Sequence, residues 1–167
     1  ANDYYHVEVL MNDLTDFVGG FYYQEQNKIY IPGSGFYGLE QYIYSYEYGF
    51  ALLNENYDIY DQFCQGSVDS CLAEAALVTG DVAFTHELWL DTYPIQFDPE
   101  AYFNLENPDP VFHSYWTPAY FNAYRNFPVR YGYPFLLHLY QTNGWLTVNY
   151  TYRFPPQTSE QVMHPEK

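Results

Sequence analysis

The sequence predicts a mainly β fold, an antiparallel sandwich or an open barrel with two or three short helices; an α+β arrangement is the alternative. Three observations lead to this prediction: a strong hairpin signal near the C-terminus, several segments in which aromatic or apolar residues alternate with polar ones, and only brief helix signals. We expect a single β-rich domain over residues 1–154, followed by a polar C-terminal tail, 155–167, that is poorly ordered.

The hairpin signal lies in residues 134–156, where Asn143-Gly144 separates two apolar runs. A type I′ turn needs positive φ at both central residues, and Asn-Gly is a pair that adopts it readily. The register that this turn imposes would gather eight large side chains on one face: Phe135, Leu137, Leu139, Leu146, Val148, Tyr150, Tyr152 and Phe154. Pattern and turn chemistry therefore predict the same two strands.

The second of these strands, GWLTVNYTYRF, resembles the closing strand of bacterial outer-membrane β-barrels, in which aromatic and apolar residues alternate up to a final Phe, here Phe154. In that family the closing strand ends the chain, whereas this sequence continues to Lys167. The two cysteines and the Pro-rich middle segments also depart from that pattern, so the prediction remains a sandwich or an open barrel.

Earlier in the chain, alternation predicts further strands. Residues 4–11 place Tyr5, Val7, Val9 and Met11 on one face and form a candidate assembly strand. Residues 21–24 and 28–31 predict a second hairpin across Glu25–Asn27. Residues 36–63 fit both the strand and the helix period, and their Tyr and Ile content favours a strand over 41–52.

Brief helices and one more strand complete the prediction. A polar cap at Asp69 or Ser70, an Ala-rich stretch and Gly80 predict a short helix over 71–78. Residues 81–97 predict a strand, with Pro94 at its edge or end. Asp98-Pro99 and Thr117-Pro118 each predict a short helix, over 98–105 and 117–126.

Charge and composition exclude several function classes. Lys and Arg total 5 against 21 Asp and Glu, a net charge of −16, which argues against binding nucleic acid or an anionic membrane surface. Aromatic residues make up 23% of the chain, with 22 Tyr and 13 Phe, more than one small core can bury. We therefore expect some of them on the surface. No apolar run is long enough to span a membrane, and the start at Ala1 is typical of a processed mature chain.

The two cysteines, Cys64 and Cys71, predict a local disulfide that closes a small polar loop. Such a loop stabilises the fold by about 2.5 kcal/mol in the chain-entropy account. The disulfide indicates an extracellular, cell-surface or periplasmic location. Two free thiols in a cytosolic loop are the alternative.

The candidate small-molecule site is Glu87, Trp89 and Asp91, which share one face of the predicted strand. Two carboxylates beside an aromatic platform suit a glycan, with Trp116 and Trp145 as further platforms. A solvated acidic face with one exposed Trp is the plainer interpretation. Asn149 lies in the glycosylation sequon Asn149-Tyr150-Thr151. The stretch NENYDIYD lacks the glycine and glutamate of a calcium-binding EF-hand, so we expect no cofactor beyond adventitious calcium.

No nucleophile, metal or phosphate motif occurs, so the sequence predicts a non-enzymatic protein. The leading hypothesis is a secreted or cell-surface structural or adhesive protein that acts through contacts with itself or another protein, such as a self-assembling fibre or surface-layer subunit. A carbohydrate-binding module or small glycan-active protein is the first alternative. An acidic inhibitor of a basic partner is the second.

Overall fold

The protein is mostly helical and has one two-stranded hairpin, in a computed structural model that describes residues 20–31, 33, 35–98 and 119–166. The elements are β1 (Phe21–Tyr23), β2 (Lys28–Tyr30), α1 (Gly38–Tyr57), α2 (Ile59–Gln62), α3 (Val68–Thr92), α4 (Ala119–Asn143), α5 (Trp145–Arg153) and α6 (Ser159–Met163). The predicted mainly β fold, as a sandwich or open barrel, is therefore wrong. In the part of the chain described, β1 and β2 are the only strands.

Helices α3 and α4 pack against each other through small residues and form the centre of the core. A Cβ atom added to Gly80 would lie 2.2 Å from the carbonyl oxygen of Gly132, and one added to Gly132 would lie 2.3 Å from that of Ala76. The glycines therefore let the two backbones touch, and the neighbouring side chains of Leu77 and Leu136 are completely buried.

Helix α3 explains two errors in the sequence interpretation. The predicted short helix exists, and Ser67 begins it by accepting a hydrogen bond from the amide of Ser70 at 3.1 Å. It does not stop at Gly80, because that glycine serves the contact with α4 rather than a helix end. Residues 81–92, predicted as part of a strand, continue the helix to Thr92, just before Pro94.

The predicted C-terminal hairpin is wrong. Asn143-Gly144 joins α4 to α5, and Gly144 adopts φ 60° and ψ −151°, a conformation suited to glycine. In α5 the buried residues are Val148 and Tyr152, while Leu146 and Tyr150 point to solvent. Residues four apart satisfy both a strand period of two and a helical turn, so the apolar pattern alone did not separate the two structures.

Helix α1 replaces the strand predicted over 41–52. Its buried positions Ile43, Ser45, Glu47 and Gly49 alternate along the sequence because the helix packs on two sides. Glu47 faces the hairpin through the amide of Tyr22, and Gly49 faces Val82 of α3. A helix sandwiched in this way shows the alternation that is typical of a strand.

The short hairpin predicted over 21–31 is confirmed, with Phe21 paired to Tyr30 in an antiparallel register. The C-terminal segment, expected to be a poorly ordered polar tail, contains helix α6. Thr158 caps α6, Val162 is buried, and Asp69 of α3 accepts a hydrogen bond from the amide of Ser159 at 3.1 Å. The candidate assembly strand 4–11 and the predicted helix over 98–105 lie outside the described residues, apart from Asp98.

Candidate functional site

A groove opens where the C-terminal part of α1, the middle of α3 and the start of α5 meet. Its volume is about 320 Å³. The side chains around it come from three helices: Leu52, Leu53, Asn56 and Tyr57 of α1, Asp81, Val82 and Thr85 of α3, and Trp145 and Asn149 of α5, with Gly49 behind them. We call it the Trp145 groove. It combines one carboxylate, two amides and aromatic rings, a composition suited to binding a small polar group.

The carboxylate of Asp81 is the most deeply buried polar group of the groove, with 5% of the residue exposed. It accepts hydrogen bonds from the hydroxyls of Tyr152, at 2.9 Å, and Thr85, at 3.1 Å. Burial raises the pKa of Asp81, and the two hydrogen bonds offset part of that shift. Among the described residues no Lys, Arg or His forms an ion pair with it.

Aromatic rings support this network. The ring of Tyr57 stacks on that of Tyr152, with centroids 4.1 Å apart, and its hydroxyl donates to the side-chain oxygen of Asn149 at 2.9 Å. Burial and the charge of Asp81 raise the pKa of Tyr152 far above its usual value, so its hydroxyl keeps its proton. It therefore remains a hydrogen-bond donor at ordinary pH.

Trp145, predicted as an aromatic platform, lies at the groove. It begins α5 and packs against Phe84 and Tyr140, with ring centroids 5.7 and 5.2 Å away, while 38% of the residue stays exposed. These contacts hold the indole in place. Asn149, predicted as a glycosylation site, lines the same groove; its glycosylation stays a prediction.

The other predicted platform is arranged differently. Glu87 and Asp91 lie four residues apart on α3 and so share one helical face, whereas Trp89 points away from them and contacts Tyr93. The hydroxyl of Tyr133 donates to Glu87, which raises the pKa of that tyrosine. None of these residues lines the Trp145 groove, and Trp116 lies outside the described residues.

A row of exposed rings begins just before α1, runs along it and reaches the groove. Phe36 contacts Tyr44 edge-on at 5.4 Å, and Tyr44 stacks on Tyr48 at 5.7 Å. Leu52, one turn further along, lines the groove. We call Phe36, Tyr44, Tyr48 and Leu52 the α1 aromatic face; all four are exposed. The four-residue spacing of Tyr44, Tyr48 and Leu52 was the signal in the sequence that would have revealed it.

The Asp, Glu, Lys and Arg side chains on α1, α2 and α3 are all carboxylates. No Lys or Arg occurs in the sequence between Lys28 and Arg125, a stretch that includes all of α1, α2 and α3. The carboxylates on these three helices are Glu40, Glu47, Glu55, Asp61, Asp69, Glu74, Asp81, Glu87 and Asp91. The exposed carboxylates of this set attract cations over the range of the Debye length.

Further buried polar groups lie on the opposite side of α1, with Glu47 beneath the hairpin and Tyr42 and Tyr46 against α3. The carboxylate of Glu47 accepts a hydrogen bond from the amide of Tyr22 at 2.9 Å, and burial raises its pKa to about 7. Burial likewise raises the pKa of Tyr46 to about 12 and lowers that of His86, whose ring lies 4.5 Å from that of Tyr42. His86 is therefore neutral at ordinary pH.

Cys64 and Cys71 form a disulfide. Next to it lies an apolar cleft of about 370 Å³, bordered mainly by Phe50, Ile59, Phe63, Leu72, Val78 and Pro128. Glu74, also at the cleft, accepts a hydrogen bond from the backbone amide of Cys64 and so ties the disulfide loop to α3.

The described residues include no group of three or more His, Cys, Asp or Glu side chains placed to hold a metal ion. Of the helices described, none is both long and apolar enough to cross a bilayer. Comparison of the chain with protein-family models, with curated proteins and with solved structures finds no match.

Proposed function

We propose that this is an extracellular, cell-surface or periplasmic protein that acts by binding a cationic protein partner through the α1 aromatic face. The observation that carries the proposal is the row of exposed rings on a helix that has no Lys or Arg. No catalytic step is part of the proposal.

The rings favour a protein partner because tyrosine supplies a large contact area and loses little conformational freedom on binding. Tyr44 is held between Phe36 and Tyr48 by ring contacts, so part of the ordering is complete before a partner arrives. The faces of such rings also attract the cationic heads of Lys and Arg side chains.

The net charge favours a different partner over a second copy of the chain. At a net charge of −16, two copies repel each other at low salt, whereas a basic protein is attracted and steered to the surface. The charge therefore favours a basic partner over the self-assembling fibre or surface-layer subunit expected from composition. The disulfide supports an oxidising compartment.

The proposal can be tested with a fluorescent peptide rich in Lys and Arg, titrated with the protein at several NaCl concentrations. We expect the Tyr44→Ala/Tyr48→Ala variant to bind at least about 10-fold more weakly than the parent, since buried aromatic anchors typically contribute more than 1 kcal/mol each. The matched control is Tyr150→Ala/Phe154→Ala, which removes another exposed pair of touching rings, 5.1 Å apart, at the C-terminal end of α5.

An equal loss in both variants, or a strong salt dependence with no loss in either, would mean that only overall charge attracts the peptide, and the proposed face would be wrong. Sedimentation across a concentration series tests whether the face instead binds a second copy of the chain. A dimer that Tyr44→Ala/Tyr48→Ala abolishes would replace the basic partner with a second copy.

A further inference from the structure

The Trp145 groove contains a buried negative charge with no positive charge to match it. Asp81 has two neutral hydrogen-bond partners, the hydroxyls of Tyr152 and Thr85. All residues around the groove are neutral except Asp81 itself. A buried carboxylate without a cation has lost much of its hydration, so a cation that reaches it regains part of that free energy.

Two acceptors of the groove keep lone pairs that no side chain of the groove uses. The three hydroxyls of Thr85, Tyr152 and Tyr57 all donate internally, the first two to Asp81 and the third to Asn149. The amide nitrogen of Asn56 donates to the carbonyl of Leu52 at 2.7 Å. Lone pairs remain on the Asp81 carboxylate and on the Asn56 side-chain oxygen, and they suit a ligand that donates several hydrogen bonds.

We propose that the Trp145 groove binds an alkylammonium group, with its nitrogen at Asp81 and its carbon chain against Trp145 and Leu52. An ammonium group brings three donors and a compact positive charge. An aromatic wall attracts such a charge further. A sugar fits less well because it carries no positive charge to compensate the negative charge of Asp81.

The source of the ammonium group follows from the proposed function, on which this part of the inference rests. Leu52 belongs both to the α1 aromatic face and to the groove, so a chain lying along α1 reaches the groove with its side chains. A lysine of the basic partner is therefore the expected occupant. A free amine offers the same chemistry, and the test below separates the two sources.

The test follows the indole N–H signals of the tryptophans by NMR during titration with n-butylammonium chloride, and Trp145→Phe identifies the signal of Trp145. We expect a saturable shift of that signal with n-butylammonium. We expect none with n-butanol, which has the same carbon chain without the charge, or with NaCl at equal ionic strength.

Two isosteric variants test the role of the carboxylate. Asp81→Asn keeps the size and the acceptor oxygen but removes the charge, and we expect binding to weaken at least 10-fold. Asp91→Asn removes an exposed charge from the same helix outside the groove, and we expect less than a twofold change. Should Asp81→Asn fail to fold, Asn56→Ala serves instead, because it removes an exposed acceptor and should weaken binding severalfold.

Equal shifts with butanol and butylammonium would overturn the inference, because the groove would then recognise only the carbon chain. A response to oligosaccharides and none to butylammonium would overturn it in favour of a glycan. Equal binding by the Asp81→Asn and Asp91→Asn variants would remove Asp81 from the site.

A comparison of two ligands separates this inference from the proposed function. If a lysine-containing peptide loses affinity in both Asp81→Asn and Tyr44→Ala/Tyr48→Ala, the ammonium group comes from the partner. If butylammonium binding depends on Asp81 while the peptide does not respond to the tyrosine variant, the groove is a free-amine site, and only the proposed partner is wrong.

Discussion

Replacing Gly80 with alanine tests the central crossing of α3 and α4. Two effects of opposite sign compete. In an unhindered helix the change stabilises the protein by about 1 kcal/mol, because glycine loses more backbone freedom on folding than alanine. Here the new Cβ atom would lie 2.2 Å from the carbonyl oxygen of Gly132 and 2.4 Å from its carbonyl carbon. Both are backbone atoms, so no side chain can rotate away to make room.

Relief of this clash requires the two helices to separate by about 1 Å at the point where Leu77 and Leu136 are fully buried. Overpacking of a core typically costs about 1–3 kcal/mol and sometimes more. A clash with backbone belongs at the upper end of that range, so we expect a net loss of about 2–4 kcal/mol. For a chain of this size that corresponds to a fall in Tm of roughly 5–15 °C.

Thermal and urea unfolding of Gly80→Ala, Gly132→Ala and the double variant measure this loss. The two added methyl groups occupy the same crossing, so the double variant should lose less than the sum of the single losses. Gly49→Ala is the matched control, because its Cβ would meet the side chain of Val82 at 3.1 Å, a methyl group that can shift. An unchanged or higher Tm for Gly80→Ala would refute the close approach of the helices.

Three further predictions concern other parts of the fold. Gly144→Ala should destabilise the fold by about 1–3 kcal/mol because alanine is strained at the φ of 60° found there, while its Cβ would meet no other atom within 4 Å. Urea unfolding measures the loss of stability, and an unchanged stability would contradict the positive φ. The Glu47 carboxyl has a pKa of about 7 in the folded protein against 4.5 ordinarily, so stability should fall by about 1–3 kcal/mol as the pH rises between these values. Glu47→Gln should flatten that dependence in urea titrations at pH 5 and 8; a slope equal to the parent's would assign it to another group. Replacing Cys64 and Cys71 with serine should cost about 2.5 kcal/mol and lower the Tm by about 5–10 °C, and an unaltered Tm would show that the crosslink does not limit stability.

Local signals in the sequence predicted some elements correctly. The hairpin at 21–31 was predicted because short strands and a turn are specified by neighbouring residues. A helix near the start of α3 was predicted from a polar cap followed by alanines, although the cap is Ser67 rather than the predicted Asp69 or Ser70. The length of α3 was not predicted correctly, because the role of Gly80 depends on Gly132, a residue of another helix. Tertiary contact decided whether that glycine ends a helix or lies inside one.

The candidate site shows the same division. Trp145 was singled out as an aromatic platform and Asn149 as part of a glycosylation sequon, and both line the groove. Asp81 was not singled out, because its place in the groove depends on a hydrogen bond from Tyr152, a residue 71 positions away. A strand would have placed Glu87, Trp89 and Asp91 on one face, whereas the helix turns Trp89 away from the two carboxylates. A single wrong choice of period therefore rearranged the predicted site while leaving its residue types unchanged.

The two unusual features of the composition, many tyrosines and few cations, are connected in the structure. Carboxylates in most proteins find Lys or Arg, but here tyrosine hydroxyls take that place: Tyr152 donates to Asp81, Tyr133 to Glu87 and Tyr23 to Glu25. A hydroxyl satisfies the hydrogen-bonding capacity of a carboxylate and leaves its charge uncompensated. In these three pairs, therefore, the tyrosine does not neutralise the negative charge of the carboxylate. That charge remains to attract a cation from outside, which is why the exposed rings of α1 and the groove at Asp81 point to the same class of partner.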